Sequence, residues 1–327
     1  MPQTSAGALL KQLDENWRAL GKHESGGILR ACAMTLIAVL DEGEDIAGAG
    51  ETLAALMHEQ PNRTILLKVA ESGAGVEGRT AIQCWMPFGR NQQICCEEIQ
   101  IQAPRAWLES AARLLNGLMV ADLPVVIWCK NARLAMDTAV RPLLDLAGKV
   151  IVDTSRLYRA GLAAECLEQL SGRWQLADLS WARITRWRET IAQALRMQNW
   201  DHIDSLEIAW AGAGTPPTAA YLCAWLANAC GWARDALSRV TLRCVDEDMP
   251  PHGQSRIREV RLASDGRPVV LRRPPGPAMA IEVDGLKAHA VFPSLTDAVL
   301  LREELTVSGE DPQFLKAFER LKEITWP

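Results

Sequence analysis

Residues 178–189 read DLSWARITRWRE, and this stretch combines two tryptophans with three arginines between an aspartate and a glutamate. Apolar residues recur through and beyond it at helical spacing: Leu176, Leu179 or Ser180, Ile184, Trp187, Ile191 and Leu195. This periodicity predicts an amphipathic helix that continues to about residue 197. Asp178 is placed to cap its first turn, because its carboxylate can accept backbone N–H bonds there. The opposite side is expected to present arginines to solvent, to a carboxylate or to a phosphate.

On the N-terminal side of this stretch, predicted strands alternate with predicted helices. Strands are expected at 31–40, 63–70, 79–86, 92–101, 125–129 and 149–153, and helices at 5–21, 46–58, 105–120, 137–147 and 157–170. This alternation predicts a layered α/β domain with a partly parallel sheet. The adjacent strands between residues 63 and 101 are expected to add an antiparallel section, which makes the sheet mixed.

On the C-terminal side the pattern becomes rich in strands. A strand at 205–210, a turn and a helix at 217–232 are followed by five strand-like segments between residues 240 and 292, and two short helices close the chain. We therefore predict two domains, an α/β domain at residues 1–170 and an α+β domain with an antiparallel meander at residues 171–327.

Composition excludes several classes of protein. The 327 residues carry a net charge of −5, with a pI near 5.7, which gives no overall attraction to nucleic acid or to anionic membranes. The longest apolar run, at 31–40, is too short to span a bilayer, and the N-terminus does not resemble a signal peptide. Nine cysteines are scattered through apolar segments, unlike a secreted disulfide framework. We expect a cytoplasmic protein with reduced thiols and no nucleic-acid or membrane partner.

Motifs for metal binding and for nucleophilic catalysis are missing from the sequence. No CxxC, HxxxH or HExxH spacing occurs, so a zinc site is not expected. No GxSxG elbow occurs, and no Cys/His pair stands in a catalytic local context. The sequence therefore predicts no metal, no cofactor and no catalytic residue.

Two glycine-rich loops are candidates for binding a phosphate. Residues 73–78 match GxGxxG, but a strand follows where a helix N-terminus is required, so a hairpin loop is the favoured interpretation. Residues 211–217 read AGAGTPP and do lie between a strand and a helix. Backbone N–H groups at Gly212, Gly214 and Thr215 could hold an anion there. A tight strand-to-helix turn without a ligand is the favoured interpretation of this segment too.

Residues 178–189 resemble the signature of the OpcA family, the glucose-6-phosphate dehydrogenase assembly proteins, which typically reads Asp-Leu-x-Trp-x-Arg-Leu-Thr-Pro-Trp-Arg. Ile184 replaces the leucine and Arg186 replaces the proline. The matching residues are Asp178, Leu179, Trp181, Arg183, Thr185, Trp187 and Arg188.

Four further segments resemble the family in the same order along the chain. HEQPNRTILL at 58–67 contains Arg63, and ADLPVVIWCK at 121–130 has Cys129 in place of a second tryptophan. GKVIVDTS at 148–155 resembles the next strand, and AAYLCAWLANACGW at 219–232 contains Trp225. The resemblance thus extends from about residue 58 to residue 232.

The resemblance implies a non-catalytic protein of the pentose phosphate pathway that binds glucose-6-phosphate dehydrogenase, promotes its active oligomer and acts as its allosteric activator. The alternative is a sugar-phosphate or nucleotide binding protein, or an enzyme, that uses the Gly212–Gly214 turn. Trp187 and Ile184 are expected to hold the two domains together, whereas the arginines either face a partner or form buried ion pairs. The partner-binding or signature residues implied are Arg63, Asp178, Trp181, Arg183, Trp187, Arg188 and Trp225.

Overall fold

A computed structural model of the protein describes residues 4–23, 27–89, 91–157, 159–198, 200, 202–233, 238–246, 248, 256–274, 276–324 and 326. The chain forms two compact units. The N-terminal unit comprises residues 1–153 and 170–176, and the C-terminal unit comprises residues 154–169 and 177–327. The backbone therefore passes between the units at 153/154, at 169/170 and at 176/177.

The N-terminal unit is built around one sheet, to which eight strands contribute in the described ranges. Its helices are α1 (Ala6–His23), α2 (Ile46–Ala54), α3 (Leu108–Asn116), α4 (Ala132–Ala135) and α5 (Arg141–Leu144). The strands are β1 (Ile28–Arg30), β2 (Met34–Leu40), β3 (Asn62–Ala70), β4 (Glu77–Trp85), β5 (Gln93–Pro104), β6 (Val125–Cys129), β7 (Lys149–Val152) and β8 (Gln175–Asp178).

Strand β2 lies in the middle of this sheet. The order is β1-β5-β3-β2-β6-β7-β8, and β4 pairs antiparallel with the free side of β5. The pairings of β2 with β3 and β6, of β3 with β5 and of β6 with β7 are all parallel. Residues 36–40 of β2 are fully buried, as expected for an apolar strand with both sheet faces covered.

The C-terminal unit contains a second sheet in the order β10-β9-β11-β12-β13-β14. Only the pair β9 and β10 is parallel among its described pairings, so β11 to β14 form the predicted antiparallel meander. The fold class expected from the sequence is confirmed. The strands are β9 (Ser205–Ala211), β10 (Val240–Asp246), β11 (Ile257–Ser264), β12 (Arg267–Arg272), β13 (Ala278–Val283) and β14 (Leu286–Val291).

Six helices complete the description of this half of the chain. They are α6 (Ala160–Leu170), α7 (Leu179–Ala182), α8 (Thr185–Gln198), α9 (Pro217–Ala229), α10 (Asp297–Thr306) and α11 (Pro312–Glu323). None of the helices in the described parts of the chain is long and apolar enough to cross a membrane.

Three local predictions are wrong. The helix expected from residue 178 to about 197 is divided, because β8 ends at Asp178 and α7 and α8 are separate helices. The helix expected at 137–147 is a 3₁₀ turn followed by the single turn of α5. The loop at 73–78 leads into a strand as predicted but does not close a hairpin, because β5 lies between β3 and β4. Gly73 approaches the ring of Pro104 so closely that a Cβ atom would lie 2.7 Å from Pro104 Cγ.

The expectation of nine reduced thiols is also wrong, because Cys84 and Cys95 form a disulfide. These cysteines occupy directly opposed positions on the antiparallel strands β4 and β5, where the side chains are close enough for their sulfur atoms to bond. The seven other cysteines are not disulfide-bonded. Burial raises the pKa of the Cys223 thiol to about 12 and that of Cys96 to about 11, so these two thiols remain protonated at neutral pH.

The disulfide closes a short loop and thereby restricts the conformations of the unfolded chain. Cys84→Ser removes this restriction and is therefore expected to lower the free energy of unfolding. For a loop of this length, the chain-entropy relation gives a loss of about 3 kcal/mol in the free energy of unfolding. Denaturant unfolding of the variant and the parent protein measures the difference. A thiol assay on the unfolded, unreduced parent protein should find seven thiols, the number of free cysteines; nine would contradict the pairing.

Candidate functional site

The signature stretch begins with a buried carboxylate, that of Asp178, which ends β8 and is fully shielded from solvent. Its Oδ1 accepts hydrogen bonds from the backbone N–H of Ser180 at 2.9 Å, as the predicted helix cap, and from the backbone N–H of Thr154 at 3.1 Å. Its Oδ2 accepts from the Thr154 hydroxyl at 2.6 Å and from the Tyr221 hydroxyl at 2.9 Å. Four donors thus compensate the cost of burying this charge.

The charge of Asp178 acts on the groups around it. The pKa of Tyr221 lies well above its ordinary value, first because the phenol is buried and then because the carboxylate opposes a second negative charge. The pKa of the Cys166 thiol rises to about 12 for the same two reasons, burial and the charge of Asp178. Both groups stay neutral across the physiological range, so this cluster holds no reactive thiolate or phenolate.

Trp181 extends the cluster toward the C-terminal helices. Its indole N–H donates to Asp311 Oδ2 at 2.8 Å, while Oδ1 of the same carboxylate caps α11. The indole contacts the ring of Tyr221 edge-on, with centroids 5.8 Å apart, and it also packs against Phe314 at 6.2 Å. A single buried tryptophan therefore connects α7, α9 and α11.

Arg188 lies over the ring of the same indole. Its guanidinium carbon is 3.6 Å from the Trp181 ring centroid, which is a close cation–π contact. Burial lowers the Arg188 pKa, an effect that the neighbouring carboxylates, beginning with Asp311, oppose. Arg188 Nη2 also donates to the Thr185 hydroxyl at 2.8 Å, and that hydroxyl donates to Glu303. Burial raises the pKa of Glu303.

Of the environments that the sequence left open for the three arginines, the structure contains both a carboxylate in a covered position and an exposed position. Arg183 is 10% exposed in its side chain and forms an ion pair with Asp297, with an N–O distance of 3.7 Å. Arg188 is covered as described above, whereas Arg186 is 55% exposed and pairs with Glu189. Trp187 is fully buried against Phe292, with ring centroids 5.8 Å apart. Most of the signature thus serves internal packing of the C-terminal unit.

Two other sequence-predicted residues lie outside this cluster. Arg63 belongs to the N-terminal unit, where it is 6% exposed. Its Nε donates to Glu97 Oε2 at 2.7 Å, and Nη1 donates to the Leu118 carbonyl. The same Glu97 carboxylate accepts from the Trp17 indole at 2.8 Å and pairs with a third group, Arg30, at 2.6 Å. Trp225 lies on α9 and is partly exposed.

The Gly212–Gly214 turn is organised by a cation that the chain itself supplies. Arg256 is 8% exposed, and its Nη2 donates to the carbonyls of Gly212, Ala213 and Gly214, each at 2.9 Å. The predicted anion site needs converging N–H groups, whereas the carbonyl oxygens of this turn converge on a guanidinium. The Thr215 carbonyl accepts the backbone N–H of Ala160. This geometry favours the interpretation of the segment as a structural turn.

Four residues were not predicted from the sequence: Thr154, Tyr221 and Asp311 around Asp178 and Trp181, and Arg256 at the Gly212–Gly214 turn. Thr154 and Tyr221 lie in the segments 148–155 and 219–232 that resemble the family, but their pairing with Asp178 depends on contacts across tens of residues. Asp311 had a usable signal, since an aspartate followed by proline at the first helical position is a helix start. Arg256 precedes β11, and its carbonyl partners in the Gly212–Gly214 turn are distant from it in the sequence.

The N-terminal sheet has a second candidate site, at its topological switch point. Numbered along the chain from β2, and leaving out β4, the strands lie in the order third, second, first, fourth, fifth, sixth. Dinucleotide-binding sheets have this order, and they bind phosphate where the order reverses, beyond the carboxyl ends of the first and fourth strands. Those strands are β2 and β6 here.

Acidic residues occupy this switch point. After β2 the chain reads DEGED at 41–45, and the Asp45 carboxylate accepts the N–H groups of Ala47 and Gly48 at the start of α2, each at 3.0 Å. After β6, Lys130 pairs with the buried Glu44 at 3.1 Å, and the Asn131 amide donates to Asp41 at 2.6 Å. The N–H groups and the lysine that could receive a phosphate are already paired with carboxylates of the chain.

Comparisons with known proteins give consistent matches over most of the chain. The family model described as glucose-6-phosphate dehydrogenase subunit N-terminal domain matches residues 53–171, and the one described as the C-terminal domain matches residues 174–318. The chain is 30% identical over 199 residues to the putative OxPP cycle protein OpcA of Synechocystis sp., covering 58% of this chain and 41% of that protein. It is 27% identical over 175 residues to the Nostoc punctiforme protein of the same name, covering 51% and 37%. These alignments span less than half of each relative.

The solved structures to which the chain is distantly similar include oxidoreductases. One is KijD10, a 3-ketoreductase from Actinomadura kijaniata, with 12% identity, a TM-score of 0.48 and coverage of 88% of this chain and 95% of that one. Another is biliverdin reductase from Synechocystis sp., with 8% identity, a TM-score of 0.46 and coverage of 88% and 96%. Likeness at this level carries no information about chemistry.

Asp178→Asn is expected to destabilise the C-terminal unit, because the amide cannot accept all four hydrogen bonds and loses the charge that strengthens them. The free energy of unfolding should fall by about 2–4 kcal/mol, measured by denaturant unfolding. Asp145→Asn is the matched control, since Asp145 is 45% exposed and pairs with an exposed Arg173. Its effect should stay below about 1 kcal/mol. Equal losses in both variants would contradict the role given to Asp178.

Arg183→Glu and Arg186→Glu compare the effect on stability of a covered and an exposed arginine of the signature. At position 183 the new carboxylate would lie beside Asp297 with little solvent to screen it, and the melting temperature should fall by at least roughly 5 °C. At position 186 both partners are more than half exposed, so the melting temperature should change by less than roughly 2 °C. A scanning calorimeter measures both, and a stable Arg183→Glu protein would reassign that arginine to the surface.

Proposed function

Because the chain belongs to the OpcA family of glucose-6-phosphate dehydrogenase assembly proteins, we propose that it is a non-catalytic factor that binds glucose-6-phosphate dehydrogenase. In this proposal it promotes the active oligomer of the dehydrogenase, raises its activity as an allosteric activator, and acts in the cytoplasm. The observation that carries the proposal is the pair of family matches, which follow one another along residues 53–171 and 174–318.

The switch point of the N-terminal sheet supports a role without nucleotide chemistry. A dinucleotide phosphate placed there would meet the carboxylates of Asp41, Glu44 and Asp45 and would find the first N–H groups of α2 already bonded to Asp45. A phosphate that bound Lys130 would compete with its ion pair to the buried Glu44. The sheet therefore serves as a scaffold in our proposal.

The signature cluster supports the same proposal in a different way. A reactive site needs a group whose pKa is moved toward neutrality, whereas burial moves the pKa values of Tyr221 and Cys166 away from it. Asp178 and Trp181 are saturated with internal partners. We infer that these residues shape the C-terminal unit and that the dehydrogenase contacts the outer surface of the protein.

The proposal predicts association with the dehydrogenase and no turnover by the protein itself. Mixed with purified glucose-6-phosphate dehydrogenase, the protein should co-elute in size-exclusion chromatography, shift the dehydrogenase toward its active oligomer and raise NADPH formation. Alone, it should form no NADPH from glucose 6-phosphate and NADP. An unrelated protein of similar mass, added at the same concentration, controls for unspecific stabilisation of the dehydrogenase.

Two results would overturn this proposal. One is the absence of any co-elution or kinetic effect at micromolar concentrations of both proteins. The other is dehydrogenase activity in the protein alone that persists after repeated purification and disappears when the Lys130–Glu44 pair is altered.

A further inference from the structure

The β4–β5 hairpin carries an exposed apolar tip at residues 86–88, Met-Pro-Phe. Phe88 is completely exposed, at 107%, and Met86 is 52% exposed. The other three phenylalanines of the chain, Phe292, Phe314 and Phe318, are at most 2% exposed. Leaving a phenylalanine in water forgoes about 1.5–3 kcal/mol relative to burying it, so a fully exposed one next to a second apolar side chain calls for a partner.

The stem of this hairpin holds the tip in place. The last paired residues are Trp85 and Ile94, and the Cys84–Cys95 disulfide crosslinks the two strands one residue earlier. The Trp85 ring packs on His58, with centroids 4.8 Å apart. A tip on a crosslinked, packed stem loses little conformational freedom when it binds, which favours affinity.

Charge and area restrict what can cover the tip. The sequence from 85 to 94, WMPFGRNQQI, contains one charged residue, Arg90, so the tip suits an apolar pocket with a neutral or acidic rim. A contact between the tips of two copies would bury about 400 Å² a side, roughly half of what a stable interface needs. Insertion of the tip into a pocket of a second copy would be head-to-tail and would generate rings or filaments.

We propose that Phe88 and Met86 form the anchor by which the protein docks into an apolar pocket of glucose-6-phosphate dehydrogenase. The inference rests on the proposed function for the identity of the partner. Phenylalanine and methionine are enriched in the buried centres of interfaces, and a few such anchors carry most of the binding energy. The hairpin lies within residues 53–171, the part matched by the N-terminal family model.

Phe88→Ser tests the anchor, with Met197→Ser as the matched control, because Met197 is 77% exposed and lies at the end of α8. Both variants should keep the parental melting temperature. The dissociation constant for purified glucose-6-phosphate dehydrogenase, measured by biolayer interferometry, should rise about 10- to 100-fold for Phe88→Ser. It should change less than about twofold for Met197→Ser.

A photo-crosslinking amino acid at position 88 provides a readout that does not depend on affinity. It should form a covalent adduct with the dehydrogenase on illumination, whereas the same group at position 197 should not. If the parent protein binds and Phe88→Ser binds equally well, without an adduct from position 88, the hairpin inference is wrong and the proposed function stands. Equal weakening by both serine variants would also overturn it. If the parent protein does not bind the dehydrogenase at all, both proposals fail.

Discussion

The buried carboxylate of Asp178 joins two places at which the backbone enters the C-terminal unit. Thr154 and Ala177 are the first residues after two of the crossings, and Asp178 accepts hydrogen bonds from both the backbone and the side chain of Thr154. Tyr221 then attaches α9 to the same oxygen. A charge buried this completely is tolerated only with all of its donors in place. The constraint therefore fixes the relative positions of three segments that are distant in sequence.

The elements that sequence predicted well have strong local signals. The apolar run of β2, the alternating strands and the cap formed by Asp178 each depend on neighbours within a few residues. The division of the signature helix at Arg183 and Ile184 depends instead on partners far along the chain, including Asp297, Glu303 and Asp311. Periodicity carries no information about such partners, and for that reason the sequence left open whether the arginines meet solvent, a carboxylate or a phosphate.

The two phosphate candidates show the same limit of local pattern. Both glycine-rich segments match part of a nucleotide motif, yet Gly73 serves a close approach to Pro104, and Gly212 and Gly214 present carbonyls to Arg256. The strand order that does accompany dinucleotide binding could not be deduced from the sequence, because it depends on β5 lying between β3 and β4. Where that order places a phosphate, the chain has DEGED at 41–45, and its carboxylates pair with the first N–H groups of α2 and with Lys130.

A side chain that stabilises the fold needs internal partners, whereas a side chain that binds a second protein must be exposed before binding. The signature residues and the tip of the β4–β5 hairpin differ in this way. Trp181, Arg183 and Arg188 of the signature contact internal partners, so they stabilise the C-terminal unit and have little left to offer a second protein. Phe88 differs from these residues, since its side chain is fully exposed to solvent. The hairpin that carries it is crosslinked by the Cys84–Cys95 disulfide. Apolar surface contributes to binding energy when it is exposed to water in the free protein and buried in the complex. For that reason the most conspicuous residues of the sequence are poorer candidates for contact with the dehydrogenase than a short loop without any motif.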